Sequence, residues 1–329
     1  MSIDTEKKRL WKYKGLSTGQ YIRYRFVNKR TAAATAWKLC RLLLLVGLTF
    51  IILYPMIIKL LSSLMSDSDL LDKTVRLLPR NPTFDNYVKV IGLTGYWQAF
   101  ANSLVISMIA AVLQTFISSC AGYGFAKFKF KGRGIAFAIV IFTLIVPPHV
   151  ILTSLYLRFR FFDIFGILGL FGKSINLTDS YWSMIILSLT GLGLKNGLYI
   201  FIMRQFYKGI PGELIEAAYI DGSDVYHTFA VIMLPLSVPT MLTIFLLSFC
   251  WQWTDTFYSG IFFKNLPVLP NILDAISPTW GDFLKFAREY SASIATNAAV
   301  LLIIAPLIVI YIFTQRFFVQ GIERTGITG

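Results

Sequence analysis

Side chains able to do chemistry are sparse in this chain and far apart. The two histidines, His149 and His227, are separated by apolar runs that put them on opposite faces of a bilayer, so they do not share a metal ion. Cys40, Cys120 and Cys250 fall in or beside apolar runs and read as buried thiols; their spacing supports neither a disulfide framework nor a metal site. No Gly-x-x-x-x-Gly-Lys-Ser/Thr run is present to hold nucleotide phosphates, and no nucleophile stands in a recognisable turn. The chain is therefore not read as an enzyme. What remains is the chemistry of docking and solvation. It is carried by a polar segment at 207–238, by Lys195 and Asn196, by Pro147 and Pro148, and by a group of Trp251, Trp253, Asp255 and Tyr258.

The polar segment is the one the chain is organised around. Pro211 can open a short helix, because its missing N–H is no loss in the first turn. Glu213 and Glu216 then lie near the positive end of that helix. Ala217 and Ala218 are small enough for another surface to approach the backbone. Asp221 and Gly222 signal a turn, with glycine supplying φ > 0. Asp221 or Ser223 caps a second short helix through Val231, and Leu234-Pro235 ends it. Two short helices about a glycine make a rigid knob. The plainer reading, a loop that only joins two apolar runs, sits poorly with its length.

The elements that position these residues are membrane spans. The chain has 329 residues, is 56% hydrophobic and has a mean hydropathy of +0.64, which exceeds what one soluble core of this size can enclose. A net charge of +14 would suggest nucleic acid in a soluble protein; beside long apolar runs it points to a membrane surface instead.

In order, residues 1–37 form a basic tail in which Tyr21, Tyr24 and Phe26 interleave with arginines. The tail reads either as a helix lying on anionic lipid or as a solvated segment that sets orientation. The basic region is too long for a signal peptide. Spans are predicted at 39–64, 102–125, 135–157, 181–206, 239–262 and 294–313. The first has a kink at Pro55. Residues 66–98 are placed outside, with a short interfacial helix at 83–90; the basic loop at 127–133 is placed in the cytoplasm.

Pro147-Pro148 interrupts the third span, as a pathway element or a static kink. Glycines 191, 193 and 197 favour close packing of the fourth. Lys195 there needs water, a partner or a cavity; a pathway role and pairing with a neighbouring subunit both meet that need. Trp251, Trp253, Asp255 and Tyr258 offer aromatic faces and a carboxylate suited to sugar hydroxyls, or else an interfacial aromatic belt. Trp280, Phe283 and Phe286 in the last outer loop could touch a partner or the membrane surface.

The run Glu216-Ala217-Ala218, three residues, Gly222, nine residues, Ile232, one residue, Leu234-Pro235 resembles the EAA signature of bacterial ABC importer permeases. Further similarity runs from about Tyr87 to the C-terminus: Asn102-Ser103, the stretch 121–124, Pro147-Pro148, Asp221-Gly222 and the tail stretch 315–321. These stretches resemble the carbohydrate-uptake permeases, specifically the subunit of the MalG type. The resemblance implies an all-α membrane protein of the type I importer permease fold, with six transmembrane helices and a cytoplasmic coupling segment. Residues 1–37 would then be a cytoplasmic tail, 38–100 the first span and outer loop, 101–318 a five-helix core with the coupling segment at 207–238, and 319–329 a second cytoplasmic tail.

It also implies a place in the bacterial inner membrane with both termini cytoplasmic. The implied partners are a homologous second permease, two ATP-binding subunits and an extracytoplasmic solute-binding protein, with ATP and magnesium used by the ATPase subunits and no cofactor held by this chain. Glu213, Glu216, Ala217, Ala218, Asp221, Gly222, Ile232, Leu234 and Pro235 would couple to the ATPase. The cargo expected is an oligosaccharide or related carbohydrate; an amino acid, peptide or polyamine is the alternative, because the docking signature reads the ATPase and not the cargo. A membrane enzyme or scaffold with a chance motif would need catalytic polar residues that the spans do not supply. Two departures are visible: relatives often carry Trp-Asn where this chain has Trp253-Thr254, and a C-terminal lysine is replaced by the ending 326–329.

Overall fold

The structure is a computed structural model that describes residues 29–72, 74–75, 77–163, 174–273, 276 and 285–326. The basic tail through residue 28, the outer loop at 164–173, Trp280, Phe283 and the side chains of Phe286, Arg316 and Arg324 lie outside the described residues. Helix dominates. The isolated bridge between Phe162 and Ile175 is the only extended pairing among the described residues.

Packing divides the chain after Leu61. The first unit holds most of α1 (Lys29–Ser63), which passes through Pro55 without ending. It starts ten residues before the expected span, because the stretch from Lys29 is rich in alanine and basic helix formers. Residues 36–57 are exposed along their whole length, a surface suited to lipid.

The second unit begins with α2 (Asp67–Leu71), capped by Ser66, and α3 (Asp85–Leu93). Asn86 donates to the Ser63 and Met65 carbonyls at 2.9 and 2.8 Å, which fastens this segment to the end of α1. Its scaffold is α4 (Tyr96–Lys127), which packs on α7 (Trp182–Leu189), α8 (Asn196–Gly209) and α11 (Leu234–Trp253). The inner face of α4 is built from small residues, among them Ala99, Ser103, Ala110, Ala111, Ser118 and Gly122.

At Gly122 α8 packs directly against α4. A Cβ there would lie 2.5 Å from Met203 Cβ and 2.9 Å from the Arg204 backbone nitrogen. Gly122→Ala is expected to destabilise the subunit by about 1–3 kcal/mol. The check is a fall in the thermal unfolding midpoint in detergent, with Gly124→Ala as control, since its Cβ would meet only Phe128 at 4.0 Å.

Among the described residues, four helices are long and apolar enough to cross a membrane: Ala33–Ser63, Tyr96–Lys127, Val225–Trp253 and Ser293–Gln315, the last within α13 (Lys285–Gly326). The third expected span is interrupted where its two prolines predict, into α5 (Arg133–Ile145) and α6 (Pro148–Arg160), bent by 102°. Pro147 and Pro148 stand at the break: Pro147 is extended (ψ 132°) and Pro148 opens α6, the position where a missing N–H is tolerated.

The fourth expected span is also two pieces. α7 ends at Leu189 and α8 starts at Asn196, because Gly191 and Lys195 both take positive φ, 75° and 61°. The glycines read from sequence as packing residues thus include one that turns the chain. The second, first and sixth expectations hold as single helices. The fifth begins fourteen residues early, at Val225, and stops at Trp253, with α12 (Phe257–Phe262) following separately.

Two loops are clasped by Asp179. Its carboxylate accepts from the Asn265 backbone (2.7 Å) and side chain (2.8 Å), and its own N–H donates to the Phe262 carbonyl at 2.7 Å. Burial pushes the Asp179 carboxyl up, but the donors of Asn265, Leu266 and Lys264 outweigh it and hold the group below its usual value.

Candidate functional site

The knob is built by α9 (Glu213–Ile220), a glycine turn and α10 (Val225–His227), which continues without a stop into a π-helical segment, Thr228–Met233, and then α11. Its lead-in is anchored: Lys127, at the end of α4, donates to the Ile210 carbonyl at 2.7 Å. Pro211 precedes the helix rather than opening it; Gly212 is the N-cap and Glu213 the first helical residue.

α9 ends in a Schellman turn. The Ser223 N–H reaches the Ala218 carbonyl at 2.9 Å and the Gly222 N–H the Tyr219 carbonyl at 3.1 Å, with Gly222 at φ +83°. This is the positive-φ turn expected of Asp221-Gly222; Asp221 is the C-cap.

The second helix is capped by neither Asp221 nor Ser223. Asp224 does it: its carboxylate accepts from the His227 N–H at 2.7 Å. The signal was the acidic residue three before His227, which the neighbouring aspartate obscured. Nor does Leu234-Pro235 end the helix. The Leu234 N–H bonds the Phe229 carbonyl, five residues back, and this wider turn takes in a proline that has no N–H and whose ring would press on the carbonyl four residues earlier.

Exposure divides the signature residues by role. Glu213, Glu216, Ala217, Asp221, Gly222 and Pro235 are exposed, with Ile232 and Leu234 half-buried. Ala218 is buried, so it holds α9 to the body while its neighbour Ala217 stays open. The same segment exposes apolar side chains, Leu214, Tyr219, Ile220 and Tyr226. Acidic groups in the first turn of a helix, on a segment that also exposes apolar side chains, suit a protein groove that offers a basic residue. Beneath the knob, Tyr123, Tyr199, Met203, Tyr207, Met233 and Ile244 form one apolar cluster that joins it to α4, α8 and α11.

The candidate pathway residues separate. Lys195 and Trp251 come together, the ammonium 5.1 Å from the centre of the indole, and both are exposed. Asn196 is buried beside them; its Oδ1 accepts from Ser118 at 3.2 Å. Trp253 is enclosed between Phe100 and Phe249 and donates from Nε1 to the Ile303 carbonyl at 2.9 Å. Tyr258 is buried in the cluster with Phe262 and Met184. Asp255 is buried and accepts from the backbone N–H groups of Phe257, Tyr258 and Ser259, capping α12. Pro147 and Pro148 lie at the α5–α6 break.

Sequence reasoning passed over a buried polar seam between the helices. Gln114 accepts from Ser248 at 2.9 Å and donates to Ser188 at 3.4 Å, and Ser119, Tyr207 and Ser237 form a chain with steps of 2.7 and 3.0 Å. A glutamine and paired serines in the middle of an apolar run were the available signal.

Against known proteins, the family model described as the binding-protein-dependent transport system inner membrane component matches residues 114–324. The chain is 26% identical over 311 residues to the arabinooligosaccharides transport system permease protein AraQ of Halalkalibacterium halodurans, covering 92% of this chain and 100% of that one. It is 29% identical over 255 residues to the alpha-glucoside transport system permease protein AglG of Rhizobium meliloti, covering 76% and 62%. A chain from the crystal structure of a bacterial ABC transporter involved in the import of the acidic polysaccharide alginate superposes with a TM-score of 0.68 at 23% identity, covering 87% of this chain and 98% of that one.

Proposed function

The chain belongs to the family of binding-protein-dependent transport system inner membrane components, and we propose that it forms one half of the translocation pathway of an ATP-driven importer for an oligosaccharide or related carbohydrate. The likeness along 92% of the chain to a permease of an arabinooligosaccharide system carries this reading over an amino acid, peptide or polyamine cargo.

In this reading the chain crosses the inner membrane six times, with α5–α6 and α7–α8 as two interrupted crossings and both termini in the cytoplasm. A second, homologous permease completes the pathway. Two ATPase subunits bind ATP and magnesium, and an extracytoplasmic solute-binding protein delivers cargo to the outer loops. Closure of the ATPases pushes on α9, whose contact with the π segment, itself packed on α11, passes the motion into the bundle and turns the cavity outward; hydrolysis lets it revert. Glu216 holds the docking geometry against a basic partner residue, Ala217 allows close approach and Gly222 sets the turn.

Purification from the native membrane in gentle detergent, with mass spectrometry of co-purifying chains, tests this. A second permease, an ATPase and a sugar-type binding protein are the expected companions. Recovery of the chain alone, under extraction that keeps other importers of this class intact, would overturn the proposal.

A further inference from the structure

The α7–α8 break carries an ammonium without a counter-charge. Lys195 lies within the segment read as the fourth crossing, where a bare cation is expensive and faces a cavity or an anion rather than lipid. Among the described residues the ion pairs are Arg80 with Asp72 and Lys89 with Asp67, both in the outer segment, and no carboxylate pairs with Lys195. Its nearest charge-stabilising neighbour is the face of Trp251.

The backbone fixes this placement. Lys195 at φ +61° is the N-cap of α8, the Asn196 N–H bonds back to the Gly193 carbonyl at 3.1 Å, and the Leu198 N–H bonds the Lys195 carbonyl at 2.9 Å. The side chain therefore stands at the positive end of a fourteen-residue helix. A second donor waits at the same break. Asn196 Nδ2 is buried with no hydrogen-bond partner, and a Cβ on Gly191 would lie 3.3 Å from it, so the nitrogen faces the turn itself. Interrupted helices at membrane depth place such ends at anionic groups of the cargo.

We propose that the α7–α8 break and Trp251 form a subsite for an acidic sugar unit, with Lys195 pairing its carboxylate and the indole stacking on its ring. The proposal rests on the carbohydrate reading above and adds the charge of the cargo to it. The aromatic neighbour favours a saccharide over a carboxylate from the second permease. A carboxylate on a pyranose ring presents the anion and the apolar face together, which is what an ammonium above an indole can take in one step.

The test uses the whole importer in proteoliposomes with its binding protein. Uptake is measured for oligosaccharides of glucuronate, galacturonate and mannuronate, each beside its neutral counterpart of equal length. Lys195→Asn removes the charge with a residue that tolerates positive φ, and Lys195→Arg keeps it. We expect at least one acidic oligosaccharide to be carried, Lys195→Asn to lower its uptake about tenfold or more, and Lys195→Arg to retain most of it. Uptake confined to neutral sugars would overturn the subsite while leaving the carbohydrate reading intact. So would an equal loss for acidic and neutral cargo in Lys195→Asn accompanied by loss of the second permease on purification, which would assign the ammonium to the subunit interface. Failure to carry any saccharide would overturn the carbohydrate reading, and the subsite with it.

Discussion

A Gly222→Val permease is expected to insert normally and to lose most of its ATPase partner on purification. Nothing lies within 4 Å of a Cβ built at this position, so the penalty is one of backbone conformation and not of space. At φ +83° a β-branched residue is strained by about 1–3 kcal/mol. The chain relieves that strain by abandoning the turn, which breaks the two Schellman hydrogen bonds to Ala218 and Tyr219 and re-aims α9 against the helix that follows. If docking absorbs the whole penalty, the ATPase recovered per permease falls about fivefold to a hundredfold. Gly222→Asn isolates the cause, because asparagine accepts the left-handed region and restores most of the complex. Quantitative mass spectrometry of the purified complexes reads both variants. Equal ATPase recovery from valine and glycine would mean that the turn does not set the docking geometry.

Charge reversal at Glu216 should act later in the cycle. The side chain is exposed in the first turn of α9, so Glu216→Lys leaves the fold and membrane insertion intact. It exchanges an anion favoured by the helix dipole for a cation that repels the basic group proposed across the interface. Removing one partner of a desolvated, hydrogen-bonded charge pair costs about 2–5 kcal/mol, and reversal costs at least as much. Uptake in the reconstituted importer is expected to fall about thirtyfold or more, with Glu216→Gln between the two. Uptake at the unsubstituted rate in Glu216→Lys would refute the docking role.

Hydropathy made most of the spanning helices legible, because an 18-residue apolar stretch has few destinations other than lipid. The turn at Asp221-Gly222 was legible for a different reason: glycine is the residue that takes positive φ without strain, and Gly222 at φ +83° agrees with that expectation. Three features were out of reach. A glycine in an apolar run is equally consistent with close helix contact and with a turn. Gly122 is the first and Gly191 the second, and only the packed partner tells them apart. Leu234-Pro235 reads as a stop because proline ends an isolated α-helix. In the bundle, burial of Met233, Ser237 and Thr240 keeps the helix running, and the backbone widens instead. The group from Trp251 to Tyr258 looked like one site because its members are neighbours in sequence; two residues along α11 are about 200° apart, so Trp253 enters the core while Trp251 stays outside, and Tyr258 is buried on the next helix.

That widening has a consequence for the length of the connection. Each residue of an α-helix advances the phase by about 100°, so one residue gained or lost between the knob and α11 would swing Glu216 a little over a quarter of a turn away from its target. A π segment is what a helix becomes when it takes in an extra residue while its flanks stay in phase. Thr228–Met233 is therefore the stretch in which the chain can shorten by one residue, relax to ordinary α-helix and still present α9 in the same direction. Elsewhere between Gly222 and the buried face of α11, the residue count is itself a dimension of the machine.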